Sequence, residues 1–287
     1  MTSDRPETTG PHGRAASLVV TTARKLTEAS VAEAARWSQL LSAPVARRGG
    51  RSIEALCRDE QVSGVLVLGG DRPVYYEPAA GLEFFFHPNM AAVRVHTIQH
   101  GQPDHMIEAM QLAPGDAVLD CTMGRGADAI LCAFVVGDSG RVLAIEKVPV
   151  IAHLTMEGLH TAEYGSRRLI AAMRRVHARR ADYREFLPTC ETATFDVVYF
   201  DPLFHEPVEQ SESMASLRAL AHRESVTSAD VQAATRVARR RVVVKQRRGT
   251  PLWDELGITE VKGGKQSRVE YGVLETGDSH PFSPANG

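Results

Sequence analysis

"VLDCTMGRGADAI", residues 118–130, holds the reading on which the fold of this chain turns. An apolar run ends on a carboxylate, Asp120, and two glycines, Gly124 and Gly126, follow. From Asp128 to Val136 nearly every residue is apolar. A short apolar run closed by glycines reads as a buried strand entering a tight turn, and the longer run behind it as a buried helix. The glycines let the backbone turn sharply and keep a Cβ out of the way of a ligand. A second strand, beginning at Gly140, ends on Glu146, which lies 20 residues after Gly126. That is the separation at which a carboxylate reaches both hydroxyls of a ribose. The unit can therefore hold an adenosine-type ligand at the carboxyl ends of its strands.

Strands and helices go on alternating toward the C-terminus. A third strand is expected near Arg175 to Arg179, a fourth over Phe195–Phe200, and a helix from about Ser228 leads into a strand over Arg241–Lys245. Such alternation predicts a parallel sheet with helices on both faces. The end differs, because Ile258–Lys262, a Gly263-Gly264-Lys265-Gln266 turn and Arg268–Leu274 read as an antiparallel hairpin. Ahead of all this lies a smaller α+β region. It has a strand at Leu18–Thr21, a helix over about Thr27–Leu41 with Val31, Ala34, Ala35, Trp37 and Leu41 turned inward, and a hairpin over Val65–Leu68 and Pro73–Tyr76. A strand at Glu83–Phe86 and a helix after Pro88 complete it, and a short helix opened by Asp104 and ending at Pro114-Gly115 follows. The expected layout is a disordered tail over 1–15, a substrate-recognition region over 16–102, a ligand-binding domain over 103–276 and a second tail over 277–287.

Gly124-x-Gly126-x-x-Ala129 nearly satisfies the dinucleotide fingerprint. Two carboxylates argue against a pyrophosphate. Asp120 precedes the glycines, and Asp128 occupies the helix start that a phosphate would use. A cationic ligand suits carboxylates there, and the sulfonium and ammonium of S-adenosylmethionine fit that description.

The fourth strand runs "FDVVYFDPLFHEP", residues 195–207, and stops at Asp201-Pro202-Leu203-Phe204. Its end faces the same crevice as Gly124 and Glu146. An exocyclic amine on a nucleobase is a poor nucleophile, because its lone pair is delocalised into the ring. The Asp201 carboxylate and the Pro202 carbonyl can accept its two N–H groups and aim the lone pair at a methyl donor. Phe204 can stack on the base, a contact worth roughly 1–3 kcal/mol. The catalytic set read here is Asp201, Pro202 and Phe204.

These residues together resemble the class I S-adenosylmethionine-dependent methyltransferases. "LDCTMGRGADA", "IEKVPV" and "DPLF" are more narrowly similar to the bacterial 16S rRNA guanine-N2 methyltransferases of the small-subunit J type, over roughly residues 104 to 275. The resemblance implies a doubly wound, mostly parallel sheet of seven strands with an antiparallel C-terminal hairpin. It also implies contacts to S-adenosylmethionine from Asp120, Gly124, Gly126, Ala127-Asp128, Glu146-Lys147, Asp182, Tyr183 and Asp201, with Asp182 on the adenine amino group. Thr122 stands where the superfamily turn usually has its first glycine, and Leu203 where the family more commonly has methionine.

Charge agrees with such a partner in its distribution only. The formal net charge is −2, yet seven arginines (167, 168, 174, 175, 179, 180, 184) crowd one stretch, and Arg239–Arg241, Lys245 and Arg247-Arg248 another. Both are expected to favour RNA, with salt-sensitive binding. Four cysteines (57, 121, 132, 190) form no C-x-x-C pair, and Cys121 and Cys132 read as buried side chains. His96 and His100 have helical spacing but no evident third ligand, so no metal is expected. No apolar stretch approaches the ~18 residues of a membrane span, and a cytoplasmic location is expected. The expected function is methylation of a nucleobase amine, guanine N2 of 16S rRNA foremost. The alternatives are a DNA or small-molecule amine methyltransferase and a non-catalytic RNA-binding protein on the same fold. Oligomeric state stays open.

Overall fold

The computed structural model describes residues 17–23, 27–202 and 225–276. The expected tails, residues 24–26, and Leu203, Phe204 and the loop after them lie outside the described residues. The chain forms two compact units, residues 1–83 and 84–287, so the helix after Pro88 belongs to the second unit rather than to the first region.

In the first unit β1 (Leu18–Thr22) runs parallel to β2 (Gly64–Leu68), and β2 is antiparallel to β3 (Val74–Glu77). Between β1 and β2 lie α1 (Glu28–Leu41) and α2 (Ile53–Glu60). A capping box starts α1: the Ser30 N–H donates to Thr27 Oγ1 at 3.1 Å and the Thr27 N–H to Ser30 Oγ at 3.0 Å. The buried face of α1 is Ser30, Ala34 and Trp37, whereas Val31 is 54% exposed and Ala35 is exposed. Val31 and Ala35 thus face outward, contrary to expectation, because the stripe that meets the sheet lies one position away. The helix α2 was not anticipated, although Ser52 accepts the Ala55 N–H at 3.1 Å and caps it in the ordinary way.

The second unit begins at the end of β4 (Leu82–Phe84) and continues through α3 (Asn89–Gln99) and α4 (His105–Met110). Then β5 (Ala117–Asp120), α5 (Ala127–Val136), β6 (Arg141–Glu146), α6 (Pro149–Thr161), α7 (Arg167–Arg175) and β7 (Val176–Arg180) alternate. They are followed by α8 (Tyr183–Phe186), β8 (Phe195–Phe200), α9 (Ser228–Val237), β9 (Ala238–Arg247), α10 (Leu252–Glu255), β10 (Glu260–Lys262) and β11 (Val269–Glu275). The sheet has seven strands in the order β10-β11-β9-β8-β5-β6-β7. The pairs among β5 to β9 are parallel, and β11 is antiparallel to both β9 and β10.

Period-two alternation sends successive strand residues to opposite faces. Val118, Val142, Val197, Tyr199 and Val243 pack with α4, α5 and α7, while Leu119, Ile145, Val198, Phe200 and Val244 pack with α9 and Trp253. Both faces are thereby buried, which is why these strands are apolar throughout. Helix α5 lies inside one layer and is apolar on nearly all sides. Gly158 of α6 marks another close approach: a Cβ there would stand 2.0 Å from Phe86 Cγ, so only glycine lets that ring pack. The order reverses at β5, which has β6 on one side and β8 on the other. A crevice opens at the carboxyl ends of strands at such a reversal.

Candidate active site

The turn after β5 is built from inside. Asp120, buried to 1% exposure, accepts the Thr122 N–H at 3.0 Å. Gly124 and Gly126 take φ +50° and +76°, in the left-handed region where a Cβ is strained. A Cβ on Gly126 would also meet Thr155 of α6 at 3.2 Å. The Gly124 N–H donates to Glu146 Oε2 at 3.0 Å, and the Val148 N–H donates to Glu146 Oε1 at 2.8 Å. The Glu146 carboxylate at the end of β6 is thus held by two backbone donors.

Burial pushes the Asp120 carboxyl up to about 8, against the pull of the Thr122 N–H, and the charges facing it from Asp128, Asp201 and Glu146 are all negative. Burial raises Glu146 as well, although the Val148 and Gly124 N–H groups act against it and Asp182 adds to it. Four of the expected residues therefore converge, with Asp182 next to Glu146. Asp182 caps α8 by accepting the Arg184 N–H at 3.0 Å and pairs with Lys147 at 2.8 Å. Lys147 is thereby directed to Asp182. Tyr183, half-buried, sets its ring edge-on to Phe200 with centroids 5.2 Å apart. Ala127 opens α5.

On the β8 side, the Asp201 N–H donates to Thr122 Oγ1 at 2.6 Å. The residue that replaces the usual first glycine of the turn thus ties the two strand ends together. Asp201 Oδ2 lies 2.8 Å from Lys245 Nζ, and the same ammonium lies 3.4 Å from Asp128 Oδ2. Asp128 also accepts the Tyr199 hydroxyl at 2.8 Å and pairs closely with Arg94, which is bidentate to Asp104 at 2.8 Å on each nitrogen. Burial alone would raise the Asp128 carboxyl, but Lys245 and Arg94 outweigh it and hold it below the usual carboxylate range. At Asp201 burial wins and raises the carboxyl, with Lys245 opposing and Asp128 adding to the rise. The Asp128 side chain was expected beside the ligand. It turns to Arg94, Lys245 and Tyr199.

Two residues of this network escaped the sequence. Arg94 lies 34 positions from Asp128 on a helix with no local signal, and Lys245 was read as part of a surface cluster. That second cluster is largely spent within the chain. Arg239 pairs with Asp196, Arg240 with Asp116, Arg241 (4% exposed) with Glu275 and Arg248 with Glu270. In the first cluster Arg174, Arg175 and Arg184 pair with Glu163, Asp138 and Asp230, while Arg167, Arg168, Arg179 and Arg180 are exposed. Cys121 and Cys132 are buried as expected. The His96 and His100 rings lie 4.2 Å apart, and no group of three or more potential ligands among the described residues is placed to hold a metal ion.

A crevice with these donors fits a cationic adenosine compound. Asp120 faces the negative charges of Asp128, Asp201 and Glu146, and Glu146 ends the neighbouring strand with its carboxylate held by backbone N–H groups. The model of the SAM-dependent methyltransferase family matches residues 79–271, more than half of the chain. The chain belongs to that family, and its cofactor is S-adenosylmethionine. It is similar to YpiP of Bacillus subtilis (strain 168), with 37% identity over 90% of this chain and 99% of that protein. It is related, at 33% identity over 60% of this chain and 71% of the relative, to ribosomal RNA small subunit methyltransferase J of Dechloromonas aromatica (strain RCB). The protein of that name from Pseudomonas paraeruginosa (strain DSM 24068 / PA7) is 30% identical over 83% of this chain and 89% of its own length. Among solved structures, a SAM-dependent methyltransferase from Neisseria gonorrhoeae shares the fold, with a TM-score of 0.59 at 18% identity over 91% of this chain and 97% of that one.

Proposed function

We propose that this methyltransferase acts on an exocyclic amine of a nucleobase in RNA, and that the amine is guanine N2 of the small-subunit ribosomal RNA. One observation carries the reading: the Asp201 N–H is bonded to Thr122 of the glycine turn at 2.6 Å, so an acceptor carboxylate and the cofactor loop meet at one point. The names of the relatives, ribosomal RNA small subunit methyltransferase J, support the RNA class.

Bound S-adenosylmethionine supplies an electrophilic methyl group on a cationic sulfur. Glu146 and Asp182 hold the nucleoside end, and Asp120 offsets positive charge. Asp201 and the Pro202 carbonyl accept the two N–H groups of the target and turn its lone pair toward the methyl group. Asp201 then receives the proton that the methylated nitrogen sheds. No strong base is required, and the rate comes mainly from positioning. A paired guanine keeps N2 in the stack, so the target base is unpaired or flipped out. We assign the stacking contact to Phe204.

The test is methyl transfer from tritiated S-adenosylmethionine to total RNA from cells lacking the gene, with RNA from normal cells as control. Label entering small-subunit rRNA of the deficient cells only, recovered as N2-methylguanosine, is the expected result. Label in DNA or in a small amine, or none in RNA despite cofactor binding, refutes the substrate assignment.

A further inference from the structure

Lys245 reaches the crevice from β9. The parallel register pairs Tyr199 with Val243 and Phe200 with Val244, so the next step outward sets Lys245 beside Asp201. On its other side Lys245 is opposite Tyr271 of β11. Its side chain is only 18% exposed. Burying an ammonium is costly unless carboxylates face it at short range. Here two do: Asp201 at 2.8 Å and Asp128 at 3.4 Å. The two carboxylates are not equally dependent on it. Asp128 also has the guanidinium of Arg94 and the hydroxyl of Tyr199, whereas the cation that pairs with Asp201 is Lys245.

We propose that Lys245 is a positioning residue for methyl transfer, whose ammonium keeps the Asp201 carboxylate ionised and oriented to accept the N–H of the target amine. The inference rests on the amine-methylation reading above. A protonated Asp201 would keep only its weaker carbonyl acceptor and turn an O–H donor to the site, so it would orient the lone pair poorly and could not take up a proton. Among the described residues, the charged and titratable groups that face Asp201 are Lys245 on β9, Asp128 on α5, Asp120 on β5, Tyr199 on β8 and Tyr271 on β11. Of these, two are carboxyls, two are phenols raised by burial, and Lys245 acts to lower the Asp201 carboxyl. Arg94 is turned to Asp104 and Asp128. Lys245 itself stays protonated, since Asp128 and Asp201 overcome the desolvation that would discharge it. Its role is therefore that of a fixed charge and not of a base.

The test compares wild type with Lys245→Met and Lys245→Arg, each checked for a cooperative melt and for S-adenosylmethionine binding by calorimetry. In Lys245→Met the acid limb of kcat/KM is expected to move up by about 1–3 pH units, as loss of an adjacent opposite charge requires. It should return in Lys245→Arg, and cofactor affinity should hold while kcat falls. Should Lys245→Met fail to fold, Lys245→Gln carries the same expectation with a buried group that can hydrogen-bond. A neutral variant that loses activity evenly at every pH, with its acid limb unmoved, overturns the inference and leaves Lys245 a structural residue. The fate of the methylation reading is separable. If wild type methylates no RNA, that reading fails. The carboxyl of Asp201, followed by 13C NMR and assigned through its loss in Asp201→Asn, must still titrate higher without Lys245. An unchanged midpoint then refutes the Lys245 role by itself.

Discussion

Replacing Asp120 with asparagine is expected to stabilise the empty protein and at the same time weaken its hold on S-adenosylmethionine. Asp120 ends β5 with 1% exposure and accepts the Thr122 N–H, a bond that an asparagine oxygen can keep. Its carboxyl moves from 3.8 in the unfolded chain to about 8 in the fold, roughly 4 units, which corresponds to on the order of 5 kcal/mol of stability. The sign follows from proton counts. Between those two values the folded state binds the extra proton, so stability falls as pH rises; the loss is absent below about 4 and complete above about 8. Wild type should therefore melt at a lower temperature at pH 9 than at pH 6, and Asp120→Asn should flatten that difference. A cationic ligand favours the ionised carboxylate. Affinity of wild type should rise with pH up to about 8, by at most about tenfold per unit, and binding below that point should release a proton. Calorimetry in buffers of different ionisation enthalpy counts that proton, and melting at the two pH values gives the stability term. Equal pH dependence of the melting temperature in wild type and Asp120→Asn would refute the reasoning.

Asp128→Ala should act on the fold more than on the cofactor. It strips a carboxylate from two buried cations, Arg94 and Lys245, and should cost about 3–5 kcal/mol. A variant as stable as wild type in urea, with cofactor binding lost, would restore the role first expected of that side chain. Glu146→Ala removes the acceptor of the Gly124 and Val148 N–H groups together with the proposed ribose contact, so affinity should fall by at least about tenfold, roughly 1.4 kcal/mol or more. Unchanged affinity by calorimetry would place the ribose elsewhere. Asp201→Ala should reduce methyl transfer by about 100-fold or more while the cofactor still binds. Full turnover in that variant would remove the amine clamp.

Local signals carried most of the fold. The glycines at 124 and 126, the apolar helix behind them and the acid at the end of each of β5, β6 and β8 lie within short windows, and the structure assembles them at one crevice. What the sequence hid depends on partners far along the chain. Lys245 and the arginines 239–241 look like a solvated basic stripe until β9 is placed between β8 and β11, where internal carboxylates neutralise them. Arg94 likewise shows its purpose only when α3 meets α5. In α1 the residues Val31 and Ala35 fit a helical period as well as Ser30 and Ala34 do, and the choice between the two stripes belongs to the sheet they meet. Thr122 looked like a lapse from the usual turn, because its hydroxyl serves a backbone N–H 79 residues away.

The stretch from Asp120 to Asp128 is anchored repeatedly to different elements of the fold: Thr122 to β8's end, Gly124 to Glu146 and to Thr155, Asp128 to α3 and β9. Substitutions in it will not be independent of substitutions at their distant anchors. Double-mutant cycles across pairs such as Thr122 and Asp201, or Asp128 and Lys245, should give coupling energies of about 0.5–3 kcal/mol where unconnected sites simply add. A descendant that changes one of these residues must therefore change its partner as well, and divergence in this segment will travel in matched pairs across long separations of sequence.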